Sequence, residues 1–436
     1  LKSGKMPAPA RIEQETIVGP SLGQEAIQKG LWSFVIAFGM VLVYMILFYN
    51  YAGYVANLAL ITNVFFIMGV LASLGAVLTL PGIAGIVLTI GMAVDANVLI
   101  YERIREEMRG GKGLMVALKD GYSKAYSAII DANLTTLLTA FVLYSFGSGA
   151  IRGFATTLII GIFTSLFSAI VLTRLVFFSR LENKKPISFY TDMTKDWFTK
   201  INVNFIGNRM KFYILSAIIV VGGVASLATK GLQYGVEFSG GTTFDVSFDE
   251  AIDVQQIRES LAVSFTEEGK TGNPIVQTKD SDAKVRIMTN YMIDNQDENQ
   301  DELIQSALAE GLAVTGVDYT IDQYNKVDST ISDDFRTGAQ NATVFSLLII
   351  FLYIFFRFRK WQYGMGALVA MTHDVIIVLS AFSIFAGILP FTMEIDQAFI
   401  AAILTVIGYS INDTVVVFDR IREYVGLYGD KKDDKD

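Results

Sequence analysis

Residues Thr89 to Glu107 read TIGMAVDANVLIYERIREE, and residues Thr405 to Tyr424 read TVIGYSINDTVVVFDRIREY. In the second stretch Gly408, Phe418, Arg420, Ile421, Arg422 and Glu423 fall where Gly91, Tyr101, Arg103, Ile104, Arg105 and Glu106 fall in the first. Each stretch is an apolar helix that carries a carboxylate inside it and ends in a burst of Arg and Glu. Many membrane transporters are built from such internal repeats, with the working site where the halves meet. The surroundings of these two helices therefore decide the fold.

Working outward, 52% of the 436 residues are hydrophobic, and the apolar residues come in long runs. That is the composition of a polytopic membrane protein. Spans of about 20 apolar residues are predicted at Leu31–Tyr49, Val55–Leu78, Pro81–Tyr101, Ala128–Phe146 and Phe154–Phe178. Four more follow at Phe212–Thr229, Ala342–Phe356, Gly364–Ile388 and Ala398–Phe418. Nine alternating crossings put Arg103, Arg105, Arg109 and Lys112 on the same side as Arg180, Lys184 and Lys185. Arg357, Arg359, Lys360, Arg420 and Arg422 fall there too. The positive-inside rule makes that side cytoplasmic and places the polar block from Gln233 to Phe335 outside. The net charge of -8 comes mostly from this block, which argues against a nucleic-acid partner. The chain has no Cys, which fits an oxidising compartment without requiring one. Leu1 to Pro9 contain neither an initiator Met nor a signal-like apolar run, so the sequence reads as the middle of a longer chain.

Residues Leu1 to Lys29 are polar and read as an extended segment with a turn at Gly19-Pro20-Ser21. Between the fifth and sixth spans, Phe189, Met193, Trp197, Phe198 and Ile201 recur at helical spacing among Lys and Asp. This predicts an amphipathic helix on the inner membrane surface, and an ordinary connector helix fits the same pattern. In the outer block, strands are predicted at Thr243–Phe248, Ile275–Gln277, Val285–Met288 and Tyr319–Tyr324, with helices at Val254–Phe265 and Glu298–Leu312. That order suggests a small α+β ferredoxin-like domain. It holds no His and no Cys, its carboxylates are scattered, and Gly240-Gly241 reads as a tight strand feature rather than a phosphate loop.

The residues able to carry chemistry are polar groups inside apolar helices. Asp95 precedes Arg103 by eight residues, Asp131 follows Lys124 by seven, and Asp413 precedes Arg420 by seven. All three are then about 10 to 12 Å from the cytoplasmic helix ends, which predicts one layer. A charged Asp costs at least about 2.5 to 3.5 kcal/mol at such depth, so each should face the bundle interior or a watery cavity, where it can serve as a proton carrier. The same residues also fit a packing role, bonded to neighbouring Asn, Ser or Thr. His373, the single His, stands with Asp374 deeper in a later helix and is read either as a relay or as a packing pair. With Gly91 and Gly408 in register, Asp95 matches Asn412, and Asp413 is turned by about 100° around its helix. Gly82, Gly85, Gly91, Ala93, Ala96 and Gly408 suit close helix approach.

Leu80 to Ile100 (LPGIAGIVLTIGMAVDANVLI) with the following Glu102-Arg-Ile-Arg105 closely resembles the signature of SecD. Gly235 to Thr242 (GVEFSGGT), His373-Asp374 and Ile407 to Thr414 (IGYSINDT) resemble SecF. Together they resemble a fused SecDF arrangement of the SecD/SecF family, in the RND superfamily. The resemblance implies an RND-type helical membrane fold of two related bundles with periplasmic domains. It implies a non-enzymatic accessory of the Sec translocon in the bacterial inner membrane, without cofactor or metal. Proton flow would move a periplasmic domain that holds the emerging polypeptide. The implied partners are the SecYEG channel, preproteins driven by SecA, a YajC-like accessory subunit, the lipid bilayer and protons.

The family's proton path maps onto Asp95 and Asp413, with Asp131, His373 and Asp374 as further candidates and Asn97, Asn412 and Thr414 as polar neighbours. The organisation that follows is a remnant of an upstream periplasmic region (1–29), a SecD-like bundle (30–182) and a cytoplasmic or interfacial linker carrying the amphipathic helix (183–210). A first SecF-like span (211–231), a periplasmic α/β domain (232–336), the remaining SecF-like spans (337–424) and a cytoplasmic tail (425–436) complete it. A first span and a large periplasmic domain are expected before Leu1, and two spans after Tyr424, one supplying a basic partner to the proton site. The sequence therefore reads as truncated at both ends. Competing readings are an RND-type exporter of small molecules or lipids and a non-transporting structural subunit of the translocon.

Overall fold

The computed structural model describes residues 14–76, 78–147, 149–197, 203–266, 272–279, 281–293, 299–389 and 393–428. Strand β1 (Gln14–Val18) is followed by helices α1 (Pro20–Tyr49), α2 (Tyr51–Ser73), α3 (Leu80–Arg109), α4 (Leu114–Phe146) and α5 (Gly149–Leu166). The last continues through a π-helical stretch (Phe167–Leu172) into α6 (Thr173–Glu182), and α7 (Arg209–Thr229) follows. Then come β2 (Gln233–Tyr234), α8 (Val236–Ser239), β3 (Gly241–Phe248), α9 (Val254–Ser264), β4 (Ile275–Lys279), β5 (Ser281–Thr289), α10 (Gln300–Leu312) and β6 (Tyr319–Val327). Helices α11 (Ser329–Phe358) and α12 (Trp361–Phe385), strand β7 (Glu394–Ile395) and helix α13 (Gln397–Tyr428) complete the order. Among the described residues nine helical stretches are long and apolar enough to cross a membrane, as the hydropathy pattern predicts. The architecture is that of a polytopic α-helical membrane protein with a small α+β domain.

The chain forms two compact units. The helical unit comprises Lys29–Gly222, Asn341–Val378 and Ile400–Asp436. Its centre is α3 packed against α4 and α5, and small residues set the spacing. A Cβ on Gly121 would lie 2.4 Å from Ile104 Cγ1, one on Gly85 2.3 Å from Thr157 Oγ1, and one on Gly161 2.4 Å from Thr89 Cγ2. Only the missing side chains let these backbones meet. α3 starts where Thr79 accepts a hydrogen bond from the Gly82 amide at 3.1 Å, with Pro81 in the first turn, a capping arrangement readable in the sequence.

The connector after α6 departs from the helix predicted over 189–201. Its described part, up to Trp197, is extended chain and turns, and Phe198 and Ile201 lie outside the described residues. Phe189 is fully buried in an aromatic cluster with Tyr49, Tyr101 and Phe177, so it cannot belong to a surface-lying apolar face. Thr191 and Thr194 donate to the carbonyls of Leu47 and Phe48 at 3.2 and 2.7 Å. These serve the orphan acceptors at the end of α1, and the segment is a cap on α1 and α2.

The second unit comprises Leu1–Gln28, Gly223–Gln340 and Leu379–Phe399. Its main sheet runs β1-β6-β3-β5-β4, antiparallel throughout. Without β1 this is the ferredoxin-like order. Phe244, Val246, Val285 and Ile287 of the strands close a core with Ile257, Leu261, Ile304 and Leu308 of α9 and α10. Gly240 and Gly241 have φ of 70° and 112°, and a Cβ on Gly241 would lie 2.3 Å from the Thr289 carbonyl oxygen. Both positions require glycine. Residues 1–29, read as wholly extended, split at Gly19: β1 is extended and pairs with β6, whereas α1 begins at Pro20. Pro suits a first helical position, and Gln, Glu, Ala and Lys follow it in the sequence. The predicted helix at Glu298 starts at Gln300, and Glu298 itself lies outside the described residues.

Candidate functional site

The two repeated helices meet at their matching positions. Asp95 of α3 accepts a hydrogen bond at 2.8 Å from the Asn412 amide of α13, the residue in register with it. Asn412 is buried, and its own Oδ1 has no protein partner. Around this pair lies a pocket of about 10 Å³, lined by Met92, Asp95, Ala96 and Leu99 of α3, Ile129, Ala132, Asn133 and Thr136 of α4, and Asn412. That volume suits a single water molecule. Thr136 also donates to the Gly408 carbonyl at 3.3 Å. Asn97 is buried and donates to the Ala93 carbonyl of its own helix at 2.9 Å, with Oδ1 unpartnered.

Asp413 is the next residue on α13 after Asn412, the partner of Asp95. It faces a different space, an open pocket of about 560 Å³ whose lining includes Leu88, Asp374, Thr405, Tyr409, Ser410 and Thr414. Here Ser410 donates to Asp374, Asp374 meets His373 Nδ1 at 3.0 Å, and His373 Nε2 meets Ser216 Oγ at 2.7 Å. His373 and Asp374 therefore belong to a hydrogen-bonded chain that ends one turn from Asp413. Thr414 donates to the Ser410 carbonyl at 3.1 Å and lines the same pocket.

Asp131 does not line the Asp95 pocket. It is buried against α11, where Arg357 bonds it from Nε at 2.8 and 2.9 Å and from Nη2 at 2.6 Å, and the Tyr353 hydroxyl donates to it at 2.6 Å. Spacing from the helix ends leaves azimuth open. Ile129, Ala132, Asn133 and Thr136 turn to Asp95, and Asp131 turns away.

The charged ends of the repeat form a reciprocal clasp. Arg103 Nη2 meets Glu423 at 2.7 Å, Arg420 meets Glu106, and each Arg also bonds the Glu three residues along its own helix, both at 2.8 Å. Four matching residues of the two copies thus close a ring. The ring borders a vestibule of about 480 Å³, lined also by Leu99, Glu102, Arg109, Lys124, Ala125, Ala128, Val416 and Asp419. The second arginines differ. Arg105 is buried and donates to the Thr194 carbonyl at 2.8 Å, whereas Arg422 is exposed and bonds Asp419. The repeated Arg-Ile-Arg-Glu was visible in the sequence, but its pairing across copies was not.

A buried charge cluster lies in the sheet unit. Burial pushes Asp245 up, yet Arg286 and Lys279, at 2.7 and 2.5 Å, more than offset it and hold the carboxyl below the usual range. Glu237 and Glu394 are pushed up by burial. Glu394 reaches Arg286 only at 3.5 Å, and its Oε1 is unpartnered. Among the described residues no group of three or more His, Cys, Asp or Glu is placed to hold a metal ion.

The model for "Protein export membrane protein SecD/SecF, C-terminal" matches residues 3–181 and 307–434, and that for the "SecD/SecF GG Motif" matches residues 225–252. The protein translocase subunit SecDF of Brucella abortus is 34% identical over 98% of this chain and 54% of its own length. The protein translocase subunit SecD of Rhodothermus marinus is 59% identical over 43% of this chain and 30% of its own. The crystal structure of SecDF, described as a translocon-associated membrane protein, from Thermus thermophilus superposes with a TM-score of 0.85 at 33% identity, covering 98% of this chain and 56% of that one. The chain spans about half the length of these fused relatives.

Proposed function

We propose a function from one premise: the chain belongs to the SecD/SecF family of protein-export membrane proteins. In this reading it is a non-enzymatic accessory of the Sec translocon in the bacterial inner membrane. Proton movement between Asp413 and Asp95 powers motion of the sheet domain on an emerging polypeptide. The observation that carries the reading is the Asp95–Asn412 contact at 2.8 Å. It sets a carboxylate of one repeat against the other repeat, with Asp413 beside it on a separate pocket. A proton held at this point has two routes, one through each space, and its uptake changes the force between the two helices that must move. One charge crossing 100 mV yields about 2.3 kcal/mol, enough to bias a rigid-body transition. The basic short loops support a cytoplasmic vestibule and a periplasmic sheet domain. SecYEG, SecA-driven preproteins and a YajC-like subunit are the partners this role requires.

The test follows precursor translocation in inverted membrane vesicles that contain the translocon, with and without a proton gradient, for wild type, Asp95→Asn and Asp413→Asn. Both variants should assemble normally and lose the gradient-dependent part of translocation. Unchanged sensitivity to the gradient would assign these carboxylates to packing and favour the structural-subunit reading.

A further inference from the structure

The vestibule behind the clasp and the small pocket at Asp95 are separate spaces, and Leu99 is the one described residue that lines both. Leu99 lies one helical turn beyond Asp95 on α3, so the two side chains share a face. On α4 the linings divide cleanly: Ala125 and Ala128 border the vestibule, and Ile129, Ala132, Asn133 and Thr136 border the pocket. On one side of Leu99 stand Arg103, Arg109, Lys124, Arg420, Glu102, Glu106, Asp419 and Glu423, a strongly hydrated wall. On the other stand Asp95 and Asn412, the latter with a buried unpartnered oxygen. Both walls favour water, and an isobutyl group stands between them.

We propose that Leu99 is an apolar gate that closes the Asp95 pocket against the charged vestibule. A hydrophobic constriction bars water and ions by dewetting even when both flanks are polar. One leucine suffices here because the pocket beyond it, about 10 Å³, has room for a single water. A side-chain rotation, or a slide of α3 past α4 at the close Gly121–Ile104 crossing, would join the spaces and give Asp95 a hydrated path. The gate keeps the proton site from equilibrating with both of its pockets at once, which any coupled carrier needs. This inference rests on Asp95 carrying the proton, and its test separates the two.

The chain contains no Cys, so single cysteines report cleanly. Ala132→Cys places a thiol in the pocket and Ala128→Cys places one in the vestibule. Each is combined with Leu99, Leu99→Ala or the volume-conserving Leu99→Met, and labelled in nanodiscs with a small methanethiosulfonate. Leu99→Ala should speed labelling at 132 by about tenfold, the effect of a barrier lower by about 1.4 kcal/mol, and leave 128 unchanged, while Leu99→Met should match wild type. Equal rates at 132, or a parallel rise at 128, would overturn the gate. In liposomes Leu99→Ala should also leak protons, and Asp95→Asn should abolish the leak. Faster labelling at 132 without a leak keeps the gate and removes the relay. A leak without faster labelling overturns the gate and leaves the relay standing.

Discussion

Arg357 shows how one residue escapes sequence reading. It stands at the end of an apolar run, beside Arg359 and Lys360, and hydropathy assigns all three to a basic loop. Its guanidinium instead clamps Asp131, 226 residues earlier. Asp131 is buried, and its two oxygens are filled by Arg357, Tyr353 and a longer contact from Ser127 at 3.5 Å. A carboxylate so fully partnered differs from Asp95, which has one side-chain donor and a water-sized pocket. Asp131→Ala should therefore lower thermal stability, because it strands a positive charge in an apolar setting. Breaking a buried pair costs about 3 to 5 kcal/mol, and the low end applies here because Arg357 keeps 24% of its side chain exposed. The double change Asp131→Leu with Arg357→Met should recover most of the loss in melting experiments. A double variant as unstable as the single one would mean that the pair is not the source of the effect. By contrast, the repeat register shows that Asp95 and Asn412 are equivalent positions, and the structure adds that they touch.

At the level of elements, the nine spans and the alternation of sheet and helix were legible because each is written in local periodicity. β1 was not, because five polar-flanked residues become a strand only when β6, some 300 residues on, supplies the ladder. The segment after α6 misled for a related reason: its apolar spacing suits a helix, but the buried site for Phe189 decides its path. Helix spacing gives a sharper forecast. A Cβ at Gly121 meets Ile104 Cγ1 at 2.4 Å and the Ile104 backbone nitrogen at 3.0 Å, whereas one at Gly91 meets nothing within 4 Å. Gly121→Ala should cost about 1 to 3 kcal/mol by overpacking, and Gly91→Ala should be neutral or stabilising by up to about 1 kcal/mol, both read from thermal unfolding. Equal effects would refute the close-crossing argument. The clasp forecasts a rescue. Arg103→Glu sets three carboxylates together and should weaken gradient-driven translocation, and adding Glu423→Arg should restore most of it by rebuilding the pair across α3 and α13. Exposed pairs contribute only about 0.2 to 1 kcal/mol each, so the readout is transport rather than melting. A double variant no better than the single one would deny the clasp a role.

For the whole molecule, the titrating groups of the sheet unit set how acidity acts on the fold. Asp245 has its carboxyl held below the usual range. It contributes stability that is present above the unfolded value of about 3.9 and is lost as the pH falls through the lower folded value. Glu237 and Glu394 are pushed the other way. Their folded forms bind protons more readily than the unfolded chain, so their contribution is complete below the unfolded value of about 4.3 and fades as the pH rises through the folded values. Asp396, Asp245 and Glu237 repel Glu394, and Arg286 opposes them while already committed to Asp245. Acidification from neutral should therefore first tighten the unit and then loosen it below about pH 4. β7, which carries Glu394, lies in the chain between α12 and α13. Hydrogen exchange of β3 and β5 amides in the intact chain, corrected for intrinsic rates, reads both phases. Protection should rise between about pH 7 and 4.5, and Glu394→Gln should flatten that rise because the amide is neutral at every pH. A steady fall in protection from neutrality downward would mean that Asp245 and the exposed carboxylates dominate, and that the buried glutamates are uncoupled from folding.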